Sequence, residues 1–115
     1  MPNKAETRND TALLRMLGLA AKAGKLVFGT EMICDALRKG GAKKPLLVVE
    51  ASDTSSGTHK KITDKCSYYG VKTVRVPYEM EKLSEALGKR SLVSAVGVCD
   101  ENFVKAISGK LDASL

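Results

Sequence analysis

Apolar residues recur along the chain with two alternating periods. Leu13, Leu14, Leu17, Ala20 and Ala21 fall three or four apart, the spacing of one helix face. Asn9 or Asp10 can cap that helix and Gly24 ends it, with Lys22 and Lys25 where cations suit the negative end. Leu26, Val27 and Phe28 then read as a short strand, and Gly29 turns the chain into a second helix. There the pattern places Met32, Ile33, Ala36 and Leu37 inward and Glu31, Asp35, Arg38 and Lys39 outward, until Gly40 and Gly41 stop it. Pro45 opens an unbroken apolar run over residues 46–49, the mark of a strand covered on both faces.

A polar loop, residues 52–58, supplies a cap for a third helix that buries Ile62, Cys66 and Tyr69 and closes at Gly70. Residues 71–76 alternate apolar with polar as a half-buried strand, ended by Pro77. Met80, Leu83, Ala86 and Leu87 line a fourth helix as far as Gly88. Lys89, Arg90 and Ser91 form an exposed basic loop, and residues 92–99 a last strand. Asp100 caps a final helix packed through Phe103, Val104 and Ile107. Strands alternating with helices predict an α/β fold. The expected architecture is a three-layer α/β/α sandwich around a four-stranded mixed sheet. One domain is expected at residues 10–115, after a flexible polar tail at residues 1–9.

Composition narrows the function classes. A chain of 115 residues with 43% apolar content can bury its own core, which excludes disorder. No apolar stretch approaches the ~20 residues of a membrane helix, and the polar start lacks a signal-peptide core, so the cytoplasm is expected. The 19 Lys+Arg against 13 Asp+Glu give +6, a lean toward a polyanion. No Trp and only 4% aromatics argue against a single-strand binder built on stacked bases. Cys34, Cys66 and Cys99 lie too far apart to form a metal pair and read as reduced, core-facing thiols.

Catalytic, cofactor and metal constellations are not apparent. The single histidine, His59, reads as a solvated side chain at the start of a Lys-rich helix. Asp53 and Asp100 each follow a strand and could meet at one sheet edge as an acid and a base, although capping is the commoner use of such residues. The basic stretch at Gly88 fails as a phosphate loop, since Leu83 stands where the first glycine belongs and Arg90 where Ser or Thr belongs. What remains is the junction Val27-Phe28-Gly29-Thr30-Glu31, set among Lys22, Lys25, Arg38 and Lys39. A glycine admits close backbone approach, the amides of a helix start attract phosphate, and Glu31 can accept from base amino groups.

At these residues the chain resembles the kink-turn-binding family of large-subunit ribosomal proteins. Leu17-Gly18-Leu19-Ala20, Ala23-Gly24-Lys25, Gly29-Thr30-Glu31 and Ala36-Leu37-Arg38-Lys39-Gly40 carry the resemblance. It continues through residues 49–53, Lys61-Ile62, Cys66, Tyr69, Val71, Leu83 and Ala86-Leu87-Gly88-Lys89. The family implies the same sandwich and a non-catalytic protein that grips kinked, structured RNA, in rRNA or elsewhere, as a monomer, without cofactors, in translation or on the ribosome. Gly29, Thr30 and Glu31 would then meet the RNA edge, with Lys25, Arg38, Lys89 and Arg90 toward phosphates. The loop of Lys89, Arg90, Ser91 and Leu92 would cover a flipped-out base. Glu31, Met32 and Asp35 stand where the family has Asn, Glu and Lys, so Asp35 is expected to repel a phosphate. An alternative from another class is a protein-interaction adaptor that keeps the fold without reading RNA.

Overall fold

Four short strands form the middle layer, and their pairing joins parts of the chain that local patterns leave separate. The computed structural model describes residues 4–114, with side chains over residues 12–111. In order come α1 (Lys4–Lys22), β1 (Leu26–Phe28), α2 (Thr30–Lys39), a 3-10 turn (Gly41–Lys43) and β2 (Leu47–Glu50). Then follow α3 (Ser56–Tyr68), β3 (Lys72–Arg75), α4 (Met80–Ala86), β4 (Ala95–Val98) and α5 (Glu101–Ser114). The sheet order is β1-β4-β2-β3. The last strand inserts between the first two, antiparallel to both, while β3 runs parallel to β2. The sheet is therefore mixed, as expected.

Side chains alternate across a strand, so each central strand feeds two cores. Leu47, Val49, Val96 and Val98 pack with Leu13 and Leu17 of α1, Leu83 of α4 and Ile107 of α5. Their neighbours Val48 and Ala95 face the other way, onto Ile33 and Leu37 of α2 and Ile62 and Cys66 of α3. That is the three-layer sandwich. On the α2 side, Gly97 leaves room for a ring: a Cβ there would lie 2.8 Å from Pro45 Cβ and Cγ.

Several boundaries differ from the sequence reading. α1 begins at Lys4, ahead of the cap expected at Asn9 or Asp10, because Ala5, Glu6 and Arg8 are good helix formers that continue the element. Residues 4–9 of the expected tail are thus helical, and residues 1–3 lie outside the described residues. Met32, expected inward, is 59% exposed, since Ile33 and Leu37 already fill the α2 contact. β4 starts at Ala95, and residues 92–94 belong to the preceding loop.

The two carboxylates weighed as an acid–base pair do not meet. β2 and β4 are antiparallel, so Asp53 and Asp100 emerge at opposite ends of the sheet. Each caps a helix: Asp53 Oδ1 accepts from Met80 N (2.8 Å) and Asp100 Oδ1 from Phe103 N (3.1 Å). His59 is also more than a solvated side chain. Its Nδ1 lies 2.8 Å from Oε2 of Glu50, a carboxylate only 1% exposed, with Arg75 Nε 3.7 Å from the same oxygen. The polar residue at the end of β2 stays in the fold because α3 and β3 bring it these partners. Cys66 is buried, while Cys34 and Cys99 are half-buried.

Candidate nucleic-acid interface

Antiparallel pairing sets the end of β1 beside the beginning of β4, with Phe28 opposite Val96. The chain leaves β1 through Gly29, whose N–H donates to Ala95 O (2.9 Å). Its backbone angles, φ 87° and ψ 154°, fall in a region open essentially to glycine. The abrupt turn starts α2 without a side-chain cap. The first-turn amides of a helix have no intrahelical acceptor, so those of Thr30, Glu31 and Met32 can meet an anion. Thr30 Oγ1 and Ser94 Oγ, 3.0 Å apart, tie this helix start to the segment entering β4.

The facing wall is the loop over residues 88–94. Both its ends are fixed on one buried residue of α4: Ser84 O accepts from Lys89 N (2.9 Å) and Ser84 Oγ from Val93 N (2.7 Å). Lys89 Nζ sits 4.1 Å from the centre of the Phe28 ring, a cation–π contact holding loop against strand. Between the walls lies an open depression of about 460 Å³, lined by Gly29, Thr30, Glu31, Lys89, Ser91 and Leu92 among others. Six of the nine residues expected at the site thus share one concavity. Leu92 is 64% exposed, an apolar side chain at the loop's rim.

The other three do not line it. Arg90 belongs to the same loop and is exposed. Lys25 stands at the opposite end of β1, where its Nζ is 4.0 Å from Asp100 Oδ2. Arg38 is two turns along α2, in a separate groove with Asp35, Lys61 and Lys65. Sequence reasoning also left out Phe28 as a contact, Ser94, Lys61 and Ser84. Only Ser84 carried a local signal, a polar residue next to Leu83 and three before Leu87 on the buried face of a helix.

Charges around Glu31 differ from the expectation. Asp35 does not present an unopposed charge to a phosphate: Lys39 Nζ lies 3.0 Å and Arg38 Nη2 2.5 Å from its carboxylate. Those two cations, Lys39 first, hold its carboxyl below the usual range. Glu31 is ion-paired with Lys61 of α3, which keeps the Lys61 ammonium protonated above its ordinary range. The start of α2 is thus tied to α3 through a pair of opposite charges.

What this arrangement can do is bind an anion and an exposed planar group side by side. Among the described residues, no three His, Cys, Asp or Glu side chains converge as a metal set. No helix among them is long and apolar enough to cross a membrane.

Comparison with known proteins agrees with the fold. An RNA-binding protein, YlxQ, of Bacillus subtilis (strain 168) is 38% identical over 101 residues, covering 84% of this chain and 92% of its own. The protein of the same name from Enterococcus faecium is 36% identical over 97 residues, covering 84% and 88%. Among solved structures, a protein of unknown function from Bacillus halodurans C superposes with a TM-score of 0.78 at 33% identity, over 87% of this chain and 96% of its own. The Giardia lamblia 15.5kD RNA binding protein shares the fold with a TM-score of 0.70 at 19% identity, over 94% and 91%. Residues 11–108 match the sequence profile of one family throughout, and the chain belongs to it: the Ribosomal protein L7Ae/L30e/S12e/Gadd45 family.

Proposed function

We propose that this protein binds structured RNA, without catalysing a reaction, through the depression between the α2 start and the loop over residues 88–94. The observation that carries the reading is the convergence of Gly29, Thr30 and Glu31 with Lys89, Ser91 and Leu92 in one open concavity. Such a site offers helix amides and a lysine to phosphates, a carboxylate to base amino groups, and an apolar rim to an unstacked base. A kinked RNA helix presents all three at once, whereas a regular duplex keeps its bases stacked. The names of the relatives and the net charge of +6 support the same reading. Lys25, Arg38 and Arg90 act as peripheral phosphate contacts. The protein works as a monomer in the cytoplasm, in translation or on the ribosome.

The test is a binding titration at several salt concentrations with a kink-turn RNA and a plain duplex of equal length. Preference for the kinked RNA is expected, with log K falling by about 0.7–0.9 per log unit of salt for each phosphate engaged. Leu92→Ser should reduce the preference while leaving the salt slope intact. Equal affinity for both RNAs would refute recognition of the kink. Absence of binding to either would replace RNA with a protein partner.

A further inference from the structure

Glu31 belongs to two concavities. This residue lines the depression described above and also a second one, a groove of about 310 Å³ between α2 and α3, so the two concavities share a wall. The groove is walled by Arg38 on one helix and by Lys61 and Lys65 on the other, with the half-buried Tyr69 at its end. Lys61 and Lys65 stand four apart on α3 and project from one face, one turn from each other, a spacing suited to neighbouring phosphates of one strand. The acids inside the groove are already matched. Glu31 is held by Lys61, and Asp35 is shared between Lys39 and Arg38. Lys65 has no acidic partner within ion-pair distance among the described residues, and it leaves the groove with surplus positive charge. Beyond Tyr69, the Tyr68 ring meets it edge-on at 4.9 Å and is itself 81% exposed, a π-face open to an unpaired base.

We infer that the α2–α3 groove is a second RNA subsite, in which Lys61, Lys65 and Arg38 hold the phosphate backbone of the strand that leaves the kinked core past Glu31. This rests on the function proposed above and assigns the path of the flanking RNA. Glu31 is the hinge between the two subsites, and its pairing with Lys61 keeps an ammonium at the point where the strand crosses from one to the other.

The experiment compares two RNAs on the intact protein: a minimal kinked RNA, and the same core with several unpaired nucleotides added at each end. Wild type should bind the longer RNA more tightly, with a salt slope steeper by about 0.7 for each additional phosphate of a single strand. Lys65→Gln, which breaks no ion pair, should leave the minimal RNA unchanged and lose most of the gain from the flanks. Lys65→Glu should make the longer RNA no better than the minimal one, and Tyr68→Ala should weaken the longer RNA alone. Equal binding of both RNAs by wild type, with the minimal RNA bound, would overturn the subsite and leave the proposed function standing. So would a Lys65→Gln effect of the same size on both RNAs. Failure of wild type to bind the minimal RNA would overturn both. Circular dichroism of the variants separates these outcomes from misfolding.

Discussion

Gly29→Ala is the sharpest probe of the candidate site, because its effect is torsional and not steric. An ideal Cβ at this position meets nothing within 4 Å, so the new methyl group has room. The backbone is what resists: φ 87° with ψ 154° lies where an L side chain costs about 1–3 kcal/mol. The chain can keep its geometry and lose that amount of stability. It can instead rotate out of strain, which would break the Gly29 N to Ala95 O bond, part Thr30 from Ser94 and swing the first turn of α2. In the first case urea unfolding shows the loss. In the second, stability falls only by the cost of the lost bonds, and RNA affinity falls by the energy of restoring the bound geometry. The two losses together should total about 1–3 kcal/mol, or roughly five- to 150-fold in equilibrium constant. Gly57→Ala is the matched control. Gly57 lies in the first turn of α3, has no positive φ and has open space at its Cβ, so alanine there should stabilise by about 0.5–1 kcal/mol. A Gly29→Ala protein within about 0.5 kcal/mol of wild type in both assays, the range of an ordinary surface change, would refute the reasoning.

Three further outcomes follow from the same contacts. Ser84→Ala removes the acceptor of a buried Val93 N–H and should cost about 1–3 kcal/mol in unfolding while loosening the loop, read as faster amide exchange at Val93; unchanged exchange would sink the clamp. His59→Ala strips the nearest partner from buried Glu50, leaving Arg75 Nε at 3.7 Å, and should cost about 1–3 kcal/mol; adding Glu50→Gln should recover part of that loss, and strict additivity would count against the pairing. Burial, with charge from Cys34 and Glu50, pushes the Cys66 thiol up to about 11. The folded state therefore holds this proton more tightly than the unfolded chain, and stability falls as pH rises from about 9.0 through 11. In alkylation at pH 8 followed by mass spectrometry, Cys34 should react well before Cys66, and equal rates would contradict the burial.

Features set by a few neighbouring residues were legible in the sequence. Leu26–Phe28 and Thr30–Lys39 were readable because Gly29, Gly40 and the apolar spacing are local signals, and Asp100 caps α5 as its position implied. Leu92 and Val93 misled for the same reason: an apolar pair next to a strand extends the pattern, while the Ser84 bonds that hold it as a loop come from another helix. Met32 has the spacing of a buried residue, but the width of the α2 contact is set by the sheet beneath it. The glycine junction and the basic loop could each be named, and their resemblance to a family could pair them. That Lys25 lies at the end of β1 away from Gly29 follows from strand direction, which no local pattern encodes. Lys61 carries part of the family resemblance but is not legible as a site residue, because its value is relational, an ammonium on one helix answering a carboxylate on another.

The insertion of β4 between β1 and β2 has a kinetic consequence. Thr30 and Ser94, which meet across the site, are 64 positions apart, so neither wall exists as a site until the last strand has threaded between the first two. Closing so long a loop is entropically costly, and such non-local pairing is characteristically a late and slow event in folding. A ligand that spans both walls therefore recognises only chains that have completed this step. By mass action it should retain them in the native basin and slow unfolding from the β1 edge, so that a nascent chain gains its binding surface and its final topology in the same event.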